Sequence, residues 1–89
     1  MKGSQDPALK LRLKQMIVKE ADKKDVAPDS ITDDEGLFGP QARLGLDSID
    51  GLQISMALQY QFGVRITDSK DLIRIMRSIN TLADYLQPA

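Results

Sequence analysis

The sequence predicts an all-α domain, a four-helix bundle with one long connection between its first and second helices. Three observations carry this. Four segments repeat apolar residues at helical spacing, and they are bounded by start and stop residues. Between the first two lies a stretch of about twenty residues with no such period. The one strand-like segment, Val64-Arg65-Ile66, has no second strand to pair with.

The first helix starts at Asp6-Pro7, where Asp6 can cap and Pro7 suits the first helical position. Leu9, Leu13, Met16, Ile17 and Glu20 follow at helical spacing, with Leu11 and Val18 widening the stripe. That makes about four turns. Lys10, Arg12, Lys14 and Lys19 point mostly elsewhere and read as the solvated side of a bundle helix, not a membrane-surface face. Pro28 is expected to close the tail of this helix.

From Asp25 to Asp47 the chain is read as a loop pinned to the core by Val26, Ile31, Leu37, Phe38 and Leu44. Asp33-Asp34-Glu35-Gly36 lacks the alternating ligands of an EF-hand loop. It is expected to be a solvated turn, with a short helical turn near Asp33–Leu37.

The second helix runs from Ser48 to about Phe62, and Gly63 stops it. It is apolar on two sides. Ile54, Leu58 and Phe62 form one stripe, assigned to the core. Ile49, Leu52, Met56 and Tyr60 form another, and Ile49, Met56 and Tyr60 are assigned at least partly to a contact surface. Thr67 or Asp68 starts a short third helix with Leu72, Ile73, Ile75 and Met76 apolar. Ser78 caps a fourth, on which Ile79, Leu82, Ala83 and Leu86 share a face before Pro88.

At 89 residues the chain makes one domain with a modest core, assigned to residues 7–87 after a flexible stretch over 1–6. With no cysteine it has no disulfide, no thiolate nucleophile and no Cys-based metal site. With no histidine it cannot be a Ser-His-Asp hydrolase, and His-containing zinc sites are excluded. No metal ligands are assigned. Residues 1–24 carry a net +4, residues 25–63 a net −6 and residues 64–89 a net +1. The acidic middle repels nucleic acid and suits a basic protein surface. No apolar run approaches the length of a membrane span, and the N-terminus has no signal-peptide core. A cytoplasmic protein, monomeric and not inserted in a membrane, is expected.

Function is most readable in Leu44-Gly45-Leu46-Asp47-Ser48-Ile49-Asp50. A glycine-containing loop delivers a serine, set between acids, to a helix start where anions are favoured. Capping alone would explain Asp47 or Ser48 taken singly. A phosphodiester on Ser48 suits the helix end, whereas Asp47 and Asp50 repel it; those acids read better as contacts for a partner. Without histidine, any special chemistry at Ser48 must be done to it by another protein.

This stretch resembles the attachment motif of acyl carrier proteins, whose core is Asp-Ser followed by Leu or Ile. The resemblance covers nearly the whole chain, from the first amphipathic helix to Leu82-Ala83-Asp84-Tyr85-Leu86. Leu37-Phe38 through Val64-Arg65-Ile66 is most similar to stand-alone carriers of specialised bacterial pathways. The resemblance implies that a separate transferase, using magnesium, moves 4′-phosphopantetheine from coenzyme A onto Ser48. The thiol of that arm then holds acyl groups as thioesters for successive enzymes of ketosynthase, acyltransferase or acyl ligase type. Asp47 matches the acid that helps dock the transferase, Asp50 a second acid and Ile49 an apolar contact. Gln53, Met56 and Tyr60 extend that recognition surface. An acyl pocket is expected between the second and third helices, near Leu58, Leu72, Ile75 and Met76.

Two departures from the family pattern stand out. Gln53, Gln59, Tyr60 and Gln61 occupy positions where fatty-acid-synthesis carriers typically have glutamates, which favours a dedicated fatty-acid or polyketide-type pathway. The segment before the last helix is slightly long. Within carriers the alternative is an aminoacyl or peptidyl carrier, which usually shows Gly-Gly before the Asp/His-Ser pair where this chain has Leu46. From another class, the alternative is a four-helix interaction module that carries no arm. An enzyme is the least supported reading.

Overall fold

A computed structural model describes residues 1–88. It is all-helical, with four α-helices: α1 (Pro7–Glu20), α2 (Ser48–Phe62), α3 (Ser69–Ile75) and α4 (Ile79–Leu86). Short 3₁₀ turns occupy Gly3–Gln5 and Pro28–Ser30. Helix α1 packs on α2 and α4, while α3 bridges α2 and α4. No helix among the described residues is long and apolar enough to cross a membrane.

Local signals set most of the helix ends. The Asp6 carboxylate accepts from the Leu9 amide at 3.2 Å, with Pro7 in the first turn. Asp68 accepts from the Lys70 amide, and Ser78 and Thr81 form a reciprocal capping box. Gly63 ends α2 at φ 68°, a conformation that costs a glycine little. The end of α1 differs from expectation. Asp22 turns the chain at φ 55°, two residues past the helix, and Pro28 instead opens a 3₁₀ turn. Asp tolerates the left-handed conformation better than most residues, so the stop falls before the proline.

Each helix sends one apolar face inward. Leu13 and Ile17, Ile54 and Leu58, Met76, and Ile79 and Leu82 are all fully buried. The long loop completes this core with Ile31, Leu37 and Leu44, as expected, and with Leu46. Val26 and Phe38 pack partly buried against it.

One expectation needs correction. The acidic run is not a freely solvated turn, and no helical turn forms at Asp33–Leu37. Asp33 takes Lys10 and Lys14 of α1, each at 2.8 Å, and its carbonyl accepts from the Asn80 amide at 3.0 Å. Asp34 accepts from the Asn80 side chain at 2.6 Å. Glu35 holds Arg43 and the Thr32 amide at 3.0 and 2.7 Å. The carboxylates therefore tie the loop to α1, to α4 and to itself. The N-terminal stretch is hydrogen-bonded near the end of α4: the Gly3 amide donates to the Gln87 carbonyl at 2.7 Å and the Ser4 amide to Asp84 at 2.9 Å. Gly3 is buried, and a Cβ there would collide with the Ala83 carbonyl, so only glycine permits this approach.

The Asp33 ion pairs have a pH signature. Hydrogen bonds from Lys10, then Lys14, hold the Asp33 carboxyl below its ordinary value of 3.8. A depressed folded pKa stabilises the fold above the unfolded value, and the contribution is lost as pH falls through the folded pKa. Asp33→Asn is expected to cost about 1 kcal/mol at neutral pH, allowing for solvent screening. It should also flatten the acid limb of stability against pH. Urea midpoints measured from neutrality into the acid range check both.

Candidate functional site

The loop that ends at Ser48 is fixed immediately upstream. Phe38 and Leu46 form an isolated parallel bridge, in which the Leu46 amide donates to the Leu37 carbonyl at 3.0 Å and the Gly39 amide to the Leu46 carbonyl at 3.1 Å. Gly45 makes the turn into this bridge at φ 56°. Leu46 is buried, so the residue before Asp47 is anchored by backbone and side chain together.

Asp47 is the N-cap of α2. Its carboxylate accepts from the Asp50 amide at 2.9 Å, and the Asp50 carboxylate accepts from the Asp47 amide at 3.1 Å. The two acids form a reciprocal capping box. They thus have a structural role within the chain; capping by Asp47 was open from the sequence, whereas Asp50 was read only as a contact for a partner. The Asp50 amide, chiefly, holds the Asp47 carboxyl below its ordinary range, with smaller help from the Ile49 amide and the charge of Lys23. Asp47 stays ionised although a second carboxylate lies beside it.

Because Asp47 does the capping, Ser48 is not needed for it. Ser48 is the first residue of α2 and is exposed. Its hydroxyl sits at the positive end of a four-turn helix, where a phosphodiester is favoured. A serine here is presented, not buried in a catalytic arrangement.

The apolar stripe expected on the outer side of α2 is there. Ile49 is 68 % exposed, Met56 60 % and Tyr60 91 %, and Leu52 lies with them. Gln53, Gln59 and Gln61 flank the stripe and are exposed. After Asp47 and Asp50 no acidic residue follows on α2.

A cleft of about 250 Å³ opens beside Ser48, between α2 and the segment leading into α3. Leu52, Ser55, Ile66, Thr67, Asp68, Ser69 and Leu72 line it with Ser48. Of the four residues expected in an acyl pocket, only Leu72 lines this cleft. Leu58, Ile75 and Met76 belong to the packed core. Leu52 and Ile66 were not singled out for this role. The extended segment Val64-Arg65-Ile66 was visible, but what it faces depends on how the chain folds back. A depression of about 380 Å³ between Leu9, Arg12, Phe62 and Leu86 does not include Ser48. There the Arg12 guanidinium stacks 4.4 Å from the Phe62 ring centroid.

The residues fit a phosphopantetheinyl group: an uncommitted exposed hydroxyl, a helix N-terminus for the phosphate, and a partly apolar cleft starting at the attachment point. The family described as "phosphopantetheine attachment site" matches residues 12–86 of the chain. No solved structure matches it. The match bears out the resemblance to acyl carrier proteins read from Asp47-Ser48-Ile49, and the helical architecture agrees with it. The chain belongs to the phosphopantetheine-attachment family and is a carrier domain for a covalent 4′-phosphopantetheine group.

Proposed function

We propose that this chain is an acyl carrier protein and that Ser48 is its attachment point. The observation that carries the reading is the placement of the exposed Ser48 hydroxyl at the mouth of the cleft lined by Leu52, Ile66 and Leu72. Ser48 Oγ displaces adenosine 3′,5′-bisphosphate from coenzyme A and gains a phosphodiester bond, and its proton leaves to a base on the transferase. When bound, the group supplies the thiol that holds an acyl chain as a thioester. Carrier domains of this family are generally not enzymes, and the chemistry is done by the proteins that dock.

Those proteins meet the exposed side of α2. Asp47, Ile49 and Asp50 surround the attachment point, and Gln53, Met56 and Tyr60 continue the surface along the helix. The partners in this reading are the phosphopantetheinyl transferase and acyl-processing enzymes of ketosynthase, acyltransferase or ligase type. The uncharged Gln53, Gln59 and Gln61 support a dedicated fatty-acid or polyketide-type pathway. Leu46 also favours an acyl over a peptidyl carrier, because its side chain is used in the core.

Two measurements test this. Hydroxylamine treatment of the protein isolated from its own host should release hydroxamates of carboxylic acids lacking an amine; release of aminoacyl or peptidyl hydroxamates instead would overturn the acyl reading. Asp47→Asn separates docking from capping, since Asn caps as well as Asp. It should leave the helix content unchanged and raise the transferase KM for the carrier several-fold, because a charge contact at the rim is lost. An unchanged KM would reduce Asp47 to a cap.

A further inference from the structure

Gly51 lies one turn inside α2 and is buried. Glycine weakens a helix interior relative to alanine, so its presence there calls for a packing reason. A Cβ at Gly51 would stand 3.2 Å from Leu72 Cδ2 and 3.3 Å from Phe38 Cε1. Both are side-chain atoms, and both would have to give way. The missing methyl is thus the space in which the tip of Leu72 and the edge of the Phe38 ring rest.

That space lies on a boundary. At 100° per residue, Gly51 falls between two faces of α2: Ser48, Leu52 and Ser55, which line the cleft, and Ile54 and Leu58, which are core. Leu72 stands on the same boundary from the α3 side. It lines the cleft yet is only 6 % exposed. A chain that enters from Ser48 and outgrows the cleft therefore meets Leu72 before it meets the core. Phe38, which backs this wall, is half-buried and belongs to the loop, not to a helix.

We propose that Leu72, seated against Gly51 beside Phe38, is the floor that sets the longest acyl chain the cleft accepts. The proposal rests on the reading of Ser48 as the attachment point. Gly51 lets the Leu72 tip sit back from the cleft, in a space it shares with the edge of the Phe38 ring. A methyl at position 51 pushes Leu72 toward the cleft. A smaller side chain at position 38 lets it retreat.

The test loads wild type, Gly51→Ala and Phe38→Leu from coenzyme A thioesters of straight-chain acids of increasing length, using a broad-specificity transferase. Intact mass confirms each loading, and the melting temperature of each acylated form is compared with that of the same protein carrying the unacylated arm. In wild type the gain should grow with chain length and then level off. In Gly51→Ala it should level off about one methylene sooner, since close-packed interiors register a change of that size. In Phe38→Leu it should level off later. The same limit in all three proteins, or no dependence on length in wild type, overturns the floor. Failure of wild type to gain mass is a different result: it removes the attachment reading itself, before any melting curve is recorded.

Discussion

Leu58→Ala is expected to destabilise the domain by about 2–5 kcal/mol. Leu58 has no exposed surface and lies in one continuous core with Leu13, Ile17, Ile54, Met76 and Leu82. Removing its side chain loses the transfer free energy of the buried atoms and leaves a cavity that close-packed neighbours fill only in part. Unfolding free energies of whole domains are about 5–15 kcal/mol, and a chain of 89 residues has little to spare. The variant should therefore show a much lower urea midpoint. Leu52→Ala gives the contrast. Leu52 is on the same helix but 58 % exposed, and its loss should change stability by about 0.5 kcal/mol or less. A Leu58→Ala penalty as small as that of Leu52→Ala would mean that α2 does not present Leu58 to the core.

Ser48→Ala should do the opposite: leave the fold intact and abolish loading. The start of α2 is held by the Asp47–Asp50 box and by the anchored Leu46, and none of these uses the serine hydroxyl. Alanine is a good helix former, so stability should move by about 0.5 kcal/mol or less. Loading needs the oxygen nucleophile itself; Ser69 also follows a capping aspartate at a helix start beside the cleft, but it lacks the Asp47-Ser48-Ile49 motif. Ser55 lines the same cleft, but its hydroxyl donates to the Leu52 carbonyl at 2.8 Å from within the helix. Matching circular dichroism melts, together with loss of phosphopantetheinylation, are the expected pair of results.

The course of the chain was legible where the signal is local. Asp47, Ser48 and Gly63 bracket α2 to the residue, because capping and a left-handed stop act within a few positions. The two-sided α2 was legible too, since helical spacing alone separates Ile54 and Leu58 from Met56 and Tyr60. What was not legible depends on residues distant in sequence. The lysines that hold Asp33 lie on α1, and Asn80, which caps the same loop, lies on α4. Three carboxylates in a row look solvated until those partners are placed. The cleft beside Ser48 shows the same limit at finer scale. Leu72 and Ile75 on α3 and Met76 just past its end are all buried, but only Leu72 reaches the Ser48 cleft, and helical spacing does not say which end of a buried stripe faces a neighbouring opening. The Asp47–Asp50 box was the exception. Its three-residue spacing was in plain sight and Asp47 was read as a possible cap, but the reciprocal use of Asp50 was not drawn.

The most direct measurement is an intact mass, followed by peptide mapping, after incubation with coenzyme A, magnesium and a broad-specificity phosphopantetheinyl transferase. Wild type should gain one phosphopantetheinyl group, on the peptide that contains Ser48, and Ser48→Ala should gain none. No addition to wild type, or an addition that persists in Ser48→Ala, would contradict the assignment of Ser48 as the attachment point.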